Sequence, residues 1–312
     1  MAQVHLNNFV VCPFSIHTLL GFLYYCGKNE TAEQISDALY LPNQRKKIPE
    51  VFRNRIAYAV LKEPTPHIFT IVNMLCLRPD FEIKDIYKRV ATGCFGIEIY
   101  NVNFHRKGRT ALEISKWVKK KTRKRIKDVI NETDIPQHTY AILISGVSFQ
   151  GRWRLQFPKR NTKEKRFFFK NPKQTFSTKM MEVTDYFNYS ENERLRAQFL
   201  EIPYEENDIT MTIVLPTISF QMGIFDAFTT KADFSKVTKD GRKLRINSVI
   251  QKTELRIGET GQIVPSSTQV FSVYKEVFKN YKSFIADHQF LYFIKSSAGI
   301  LFIGKYCLPP PS

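Results

Sequence analysis

The sequence predicts an α+β fold with antiparallel sheets, and three observations predict it. Helical periodicity carries most of the first 130 residues. Strand-like alternation carries the chain from Pro136 to its end. No β–α–β alternation is read along the chain, which predicts antiparallel sheets. A chain of 312 residues, 43% hydrophobic and 13% aromatic, can bury a substantial core. That composition excludes disorder for its bulk. No run of about 18 residues is both apolar and uncharged, so no membrane span is predicted.

The elements follow in order. IHTLLGFLYYCG at 16–27 is apolar on most faces, as a buried helix is. The stretch NETAEQI at 29–35 reads as a helix start, with Thr31 as the cap and Gln34 completing a capping box. This helix ends before Pro42. IFTIVNMLCLRPDF at 68–81 is β-branched and alternating enough for a strand ending at Pro79. A helix over 81–96 closes near Gly96, and 97–104 is again a strand. The segment 109–130 predicts one long amphipathic helix whose apolar members are Leu112, Ile114, Trp117, Val118, Ile126 and Val129. Strand candidates then succeed one another at 140–153, 174–190, 195–204 and 208–217. A hairpin turning at 296–299 closes the chain. No internal repeat or low-complexity linker divides it, which predicts a single domain over 1–312.

Charge and chemistry narrow the function. The net charge is +18, which draws polyanions or simply solvates the surface. Lys119, Lys120, Lys121, Arg123, Lys124 and Arg125 concentrate it in one place. No nucleic-acid module or interleaved aromatic pattern accompanies them, so nucleic acid is not an expected partner. Five cysteines are widely spaced and odd in number. They predict buried thiols rather than a disulfide framework or a zinc site. Six scattered histidines form no metal or catalytic motif, and no nucleophile elbow or phosphate loop occurs. No enzyme, cofactor or metal is therefore expected. The sequons at Asn29, Asn131 and Asn188 matter only on the secretory route. The first 27 residues lack a basic leader and a small-residue cleavage site, so they do not read as a signal peptide.

Several segments resemble the serpin family, and in serpin order. NFVVCPFSI at 8–16 and GKNETAEQI at 27–35 open the series. WVKKKT at 117–122 and IKDVI at 126–130 follow. ISGVSFQGRW at 144–153 is similar to a serpin strand that usually reads asparagine-x-x-x-phenylalanine-x-glycine-x-tryptophan. LEIPY at 200–204, IVLP at 213–216, MGIFDAF at 222–228 and ADFS at 232–235 continue it. FIADHQFLYFI at 284–294 and ILFIGK at 300–305 close it. The resemblance implies helices and three mostly antiparallel sheets with an exposed reactive-centre loop. It also implies trapping of a serine or cysteine protease, outside the cell, by loop cleavage and insertion as an extra strand.

In that register Glu259, Thr260 and Gly261 begin the hinge, and the loop runs from Gln262 to about Ser283. Family spacing puts the cleaved bond at Lys275–Glu276. Lysine there implies a trypsin-like target, with Tyr274 the nearest competing residue. The basic run 119–125 becomes a candidate site for a heparin-like polyanion. Three departures accompany the resemblance. Gln262 stands where inhibitory serpins place threonine or serine, and Pro265 cannot donate to a central ladder. Ser145 replaces the asparagine of the sheet centre, called the shutter. Only five residues separate Pro216 from Met222, and most of the first helix is missing. The departures imply the alternative of a non-inhibitory serpin-fold carrier or a protease substrate.

Overall fold

The structure is a computed structural model. It describes residues 8–42, 44–60, 68–169, 171–205, 208–216, 248–255, 257, 259, 270–274, 283–297, 299–307 and 309.

After a short strand β1 (Phe9–Val11), helix α1 (Pro13–Cys26) begins with proline in its first turn, where no N–H is needed. Most of its residues are buried, as its all-round apolar character predicts. Helix α2 (Asn29–Leu39) starts earlier than predicted: its N-cap is Lys28, and Thr31 is buried inside the first turn. Gln34 donates to Glu30 instead of closing a capping box. Packing of α2 on α1 overrides the local capping signal. Helix α3 (Ile48–Val60) follows a single 3-10 turn at Arg45–Lys47. Strand β2 (Ile68–Leu77) leads to α4 (Asp85–Phe95), which Gly96 ends in the left-handed region, and then to β3 (Ile97–Asn101).

Helix α5 (Lys107–Lys121) is shorter than the predicted 109–130. It stops because Arg123 and Lys124 both adopt positive φ, 50° and 63°. The chain then doubles back along its own helix. Thr122 Oγ1 donates to the Val118 carbonyl and accepts from the Ile126 N–H. Ser115 does the same for Ile130 and Val129. Ile126 and Val129 thus join the same apolar cluster as Ile114 and Val118 without being helical. The helical period was read through a turn that preserves the burial pattern.

The remaining strands are β4 (Ala141–Gln150), β5 (Lys163–Phe169), β6 (Asn171–Thr184), β7 (Asn188–Asn192), β8 (Ala197–Pro203), β9 (Thr210–Pro216), β10 (Ser248–Leu255), β11 (Val270–Tyr274), β12 (Ser283–Ile285), β13 (Phe290–Ser296) and β14 (Gly299–Tyr306). The predicted strand at 174–190 is two, β6 and β7, split at residues 185–187. β13 and β14 form the predicted closing hairpin.

Three sheets result. The central sheet has the order β10-β4-β2-β3, a second has β1-β14-β13-β9-β8-β7, and a small one has β12-β11-β6-β5. Most pairings are antiparallel, while β2 with β3, β10 with β4 and β11 with β6 are parallel. The class is α+β, as predicted.

One face of the central sheet packs on α1, α3 and α4 through Leu75, Leu77, Ala141 and Leu143. Its other face packs under α5 through Val72, Met74, Cys76, Ile142 and Ile144. A third cluster joins the lower end of β4 to the other two sheets through Phe149, Trp153, Phe167, Met180 and Phe302. β4 is therefore covered on both faces, with nine of its ten residues buried.

Candidate functional site

The centre of the molecule is the pair β10 and β4. They run parallel with Ser248 beside Ile142 and Leu255 beside Phe149, eight residues in register. On its other edge β4 pairs antiparallel with all ten residues of β2. No strand separates β10 from β4.

A buried polar trio lies at the middle of this sheet. Ser145 of β4 is paired with Asn73 of β2 on one side and Gln251 of β10 on the other. The Ser145 and Ser15 hydroxyls lie 2.6 Å apart, and Ser15 Oγ donates to Asn73 Oδ1 at 3.2 Å. Ser15 has one hydroxyl proton, so Ser145 must be the donor of the 2.6 Å contact. Ser15 and Ser145 are fully buried. The trio ties the start of α1 to both strands beneath the sheet. Ser145 was marked in the sequence, while Ser15 and Asn73 were missed; an asparagine inside an apolar strand was the signal.

On the opposite face α5 crosses at Gly146. A Cβ there would stand 2.9 Å from both Val118 Cγ1 and Val72 Cγ2. Glycine is needed because helix and sheet approach so closely.

The chain leaving β10 is held at once. Ile257 is buried in the lower cluster. The Glu259 carbonyl accepts the Phe157 N–H at 2.8 Å, and its Oε1 accepts the Thr162 hydroxyl at 3.2 Å. Glu259, the expected first residue of the hinge, is thus buried and anchored. Thr260, Gly261, Gln262, Pro265, Lys275 and Glu276 lie outside the described residues. Tyr274 is described, as the last residue of β11. The expected loop from Gln262 to about Ser283 is interrupted by this strand, which the sequence reading missed. The β-branched and aromatic run VFSVY was its signal.

The basic run divides by environment. Lys121 bonds Glu98 at 2.5 Å and lies over the Trp117 ring, 5.5 Å from its centroid. Trp117 donates to Tyr100, which donates to Glu98. Burial alone would raise the Glu98 carboxyl, but the Lys121 ammonium and Tyr100 hydroxyl together hold it below its ordinary range. Arg125 is half-buried and reaches Thr70. Lys119, Lys120, Arg123 and Lys124 are exposed, with no carboxylate in ion-pair reach among the described residues. Those four form the free part of the patch.

All five cysteines are buried, and none forms a disulfide among the described residues. Burial pushes Cys12 and Cys76 up to about 12, so neither is a thiolate near neutral pH. Among the described residues no group of three or more histidine, cysteine or acidic side chains could hold a metal.

Comparison with known proteins bears on this geometry. A family model described as serpin (serine protease inhibitor) matches residues 1–221 and 220–309. Intracellular coagulation inhibitor 2 of Tachypleus tridentatus is 26% identical over an alignment of 352 positions, covering 96% of this chain and 85% of that one. The crystal structure of Serpin48 from Tenebrio molitor matches with a TM-score of 0.82 at 23% identity, covering 97% of this chain and 92% of that one. A thyroxine-binding globulin complexed with thyroxine matches with a TM-score of 0.83 at 19% identity, covering 99% and 95%. At those identities the two structures bear on fold alone.

Proposed function

The chain belongs to the serpin family, and from that membership we propose that it inhibits a serine endopeptidase by acting as a suicide substrate. The observation that carries this reading is the β10·β4 pair. The two strands run parallel, so one extra strand lying antiparallel to both would complete a ladder with each. The chain leaves β10 beside Phe149 and is anchored at Glu259 next to that end. A segment turning back from there enters between the two strands without crossing the sheet.

The reactive bond in this reading is Lys275–Glu276. The protease's serine oxygen bonds to the Lys275 carbonyl carbon, and the peptide C–N bond breaks. Glu276 leaves as a free amine, carrying a proton that ultimately derives from the serine hydroxyl. A lysine side chain suits a pocket with an acidic floor, so the target is trypsin-like. Insertion of the severed segment then satisfies a new row of backbone hydrogen bonds and drags the acylated protease with it. Mixing the chain with trypsin should give a covalent adduct stable on a denaturing gel. Lys275→Ala should abolish the adduct. Formation of clipped chain alone would reject inhibition.

A second reading is that of a non-inhibitory binding or carrier protein, or a plain substrate. Gln262 and Pro265 favour it. A long amide in the sheet interior and a missing N–H both oppose insertion. The thyroxine-bound neighbour has the same fold.

We also propose that Lys119, Lys120, Arg123 and Lys124 bind a heparin-like polyanion, with Lys121 and Arg125 flanking them. Four cations without ion-pair partners in a chain of charge +18 concentrate anions locally. Retention on a heparin column should fall steeply with salt. The family implies action outside the cell, although the Tachypleus relative is named as intracellular. Glycan occupancy at Asn29, Asn131 or Asn188 in the native protein would place it on the secretory route.

A further inference from the structure

Strand β11 is not free to move. It is an interior strand of the small sheet, paired parallel with β6 from Val270–Met180 to Tyr274–Thr184, and antiparallel with β12 from Ser272–Ile285 to Tyr274–Ser283. The segment between Glu259 and Val270 therefore has both ends fixed. They are fixed close together. Glu259 is bonded to Thr162, and the next residue, Lys163, opens β5 opposite Met180. Met180 in turn pairs with Val270. Two strand spacings, about 10 Å, separate the Lys163 and Val270 backbones.

Ten residues, 260–269, join these fixed ends. Fully extended they reach about 35 Å. A segment that must go out and return can place at most about five of them in the central sheet. Counted from the Leu255–Phe149 end, the fifth level is Gln251–Ser145, the level of the buried trio. The three levels beyond it, Ile250 to Ser248, are out of reach while β11 stays paired.

We propose that β11 is a latch on loop transfer: cleavage on its C-terminal side does not release the loop until Val270–Tyr274 leaves the small sheet. This deepens the inhibitory reading and rests on it. Withdrawal breaks the pairing with β6 and β12 and leaves two strand edges bare. In return the inserted segment reaches the three remaining levels of the central sheet and pairs there on both sides, so the latch acts chiefly by delaying insertion. Delay decides the outcome, because the acyl ester is hydrolysed whenever insertion is late.

Two measurements test this. In the intact chain, amide exchange at Val270–Tyr274 should be at least about tenfold slower than in an unpaired segment. Unprotected amides there overturn the latch. The variant S272C/I285C places a cysteine pair across β11 and β12 at facing positions. Trypsin-nicked protein is then melted with this pair oxidised and reduced. The latch predicts a rise of roughly 10 °C or more on nicking in the reduced form and at most half of that in the oxidised form, where the last three levels stay empty. An equal rise in both forms overturns the latch and leaves insertion standing. No rise in either form, nor in nicked wild type, overturns insertion and the latch together.

Discussion

Ser15 and Ser145 show how much depends on which partner of a buried pair is removed. Ser15 is the middle member of the trio, accepting from Ser145 and donating to Asn73. Ser15→Ala takes a partner from both at once, in a fully buried setting. Removing a partner from a buried polar group costs about 1–3 kcal/mol. Ser145→Ala takes away only one bond and leaves Ser15 donating to Asn73. Urea unfolding should therefore rank S15A as more destabilising than S145A, with S15A losing about 2 kcal/mol. The opposite order would mean that the trio is not wired through Ser15. The same residues show what could be read from the chain beforehand. Ser145 was visible because a family pattern named its position. Ser15 and Asn73 were hidden because their partnership joins sites 58 residues apart, a distance that no local period reports.

At the scale of elements, α5 joins what the sequence declared to what it concealed. Its apolar stripe was legible except at Leu112, which is exposed, and so was its basic run. Its end was not, because Ile126 and Val129 are buried at helical spacing on a chain that is no longer helical. The two consecutive left-handed residues, Arg123 and Lys124, carry that reversal. Side chains there cost backbone energy that glycine avoids. Lys124→Gly should thus raise stability by up to about 1 kcal/mol. It should also lower retention on a heparin column, because it removes one of the four free cations. Stability and binding moving in opposite directions distinguish a ligand-binding turn from a mere solvated one. β11 was concealed for a different reason. Its pattern is strand-like and β6 was itself predicted as a strand, but the pairing of β11 with β6 and β12 is not visible from the sequence alone, and the resemblance implied a loop there. Strand identity was local information; pairing was not.

For the whole molecule, the proposed inhibitory mechanism poses the question of which of two fates follows cleavage, insertion or hydrolysis of the ester. The order of helices and strands, and the closing hairpin, followed from period and turn residues. The parallel β10·β4 pair did not, since its two strands begin 107 residues apart. Yet that pair sets the demand on the loop. In the proposed mechanism residues 260–269 enter an interior position in which each N–H has a carbonyl to meet and alternate side chains face a packed layer. Pro265 brings no N–H, and Gln262 brings an amide with no assured partner. In that mechanism each slows entry, and both act before β11 is reached in the chain. Gln262→Thr combined with Pro265→Ala should therefore raise the fraction of trypsin encounters that end as covalent adduct. Fewer moles of chain should then be consumed per mole of enzyme inactivated. The readout is a titration of residual trypsin activity against added chain. If the doubly substituted chain is consumed as fast as the natural one, entry at the hinge is not the slow step. The delay then lies farther along, at the withdrawal of β11 from between β6 and β12.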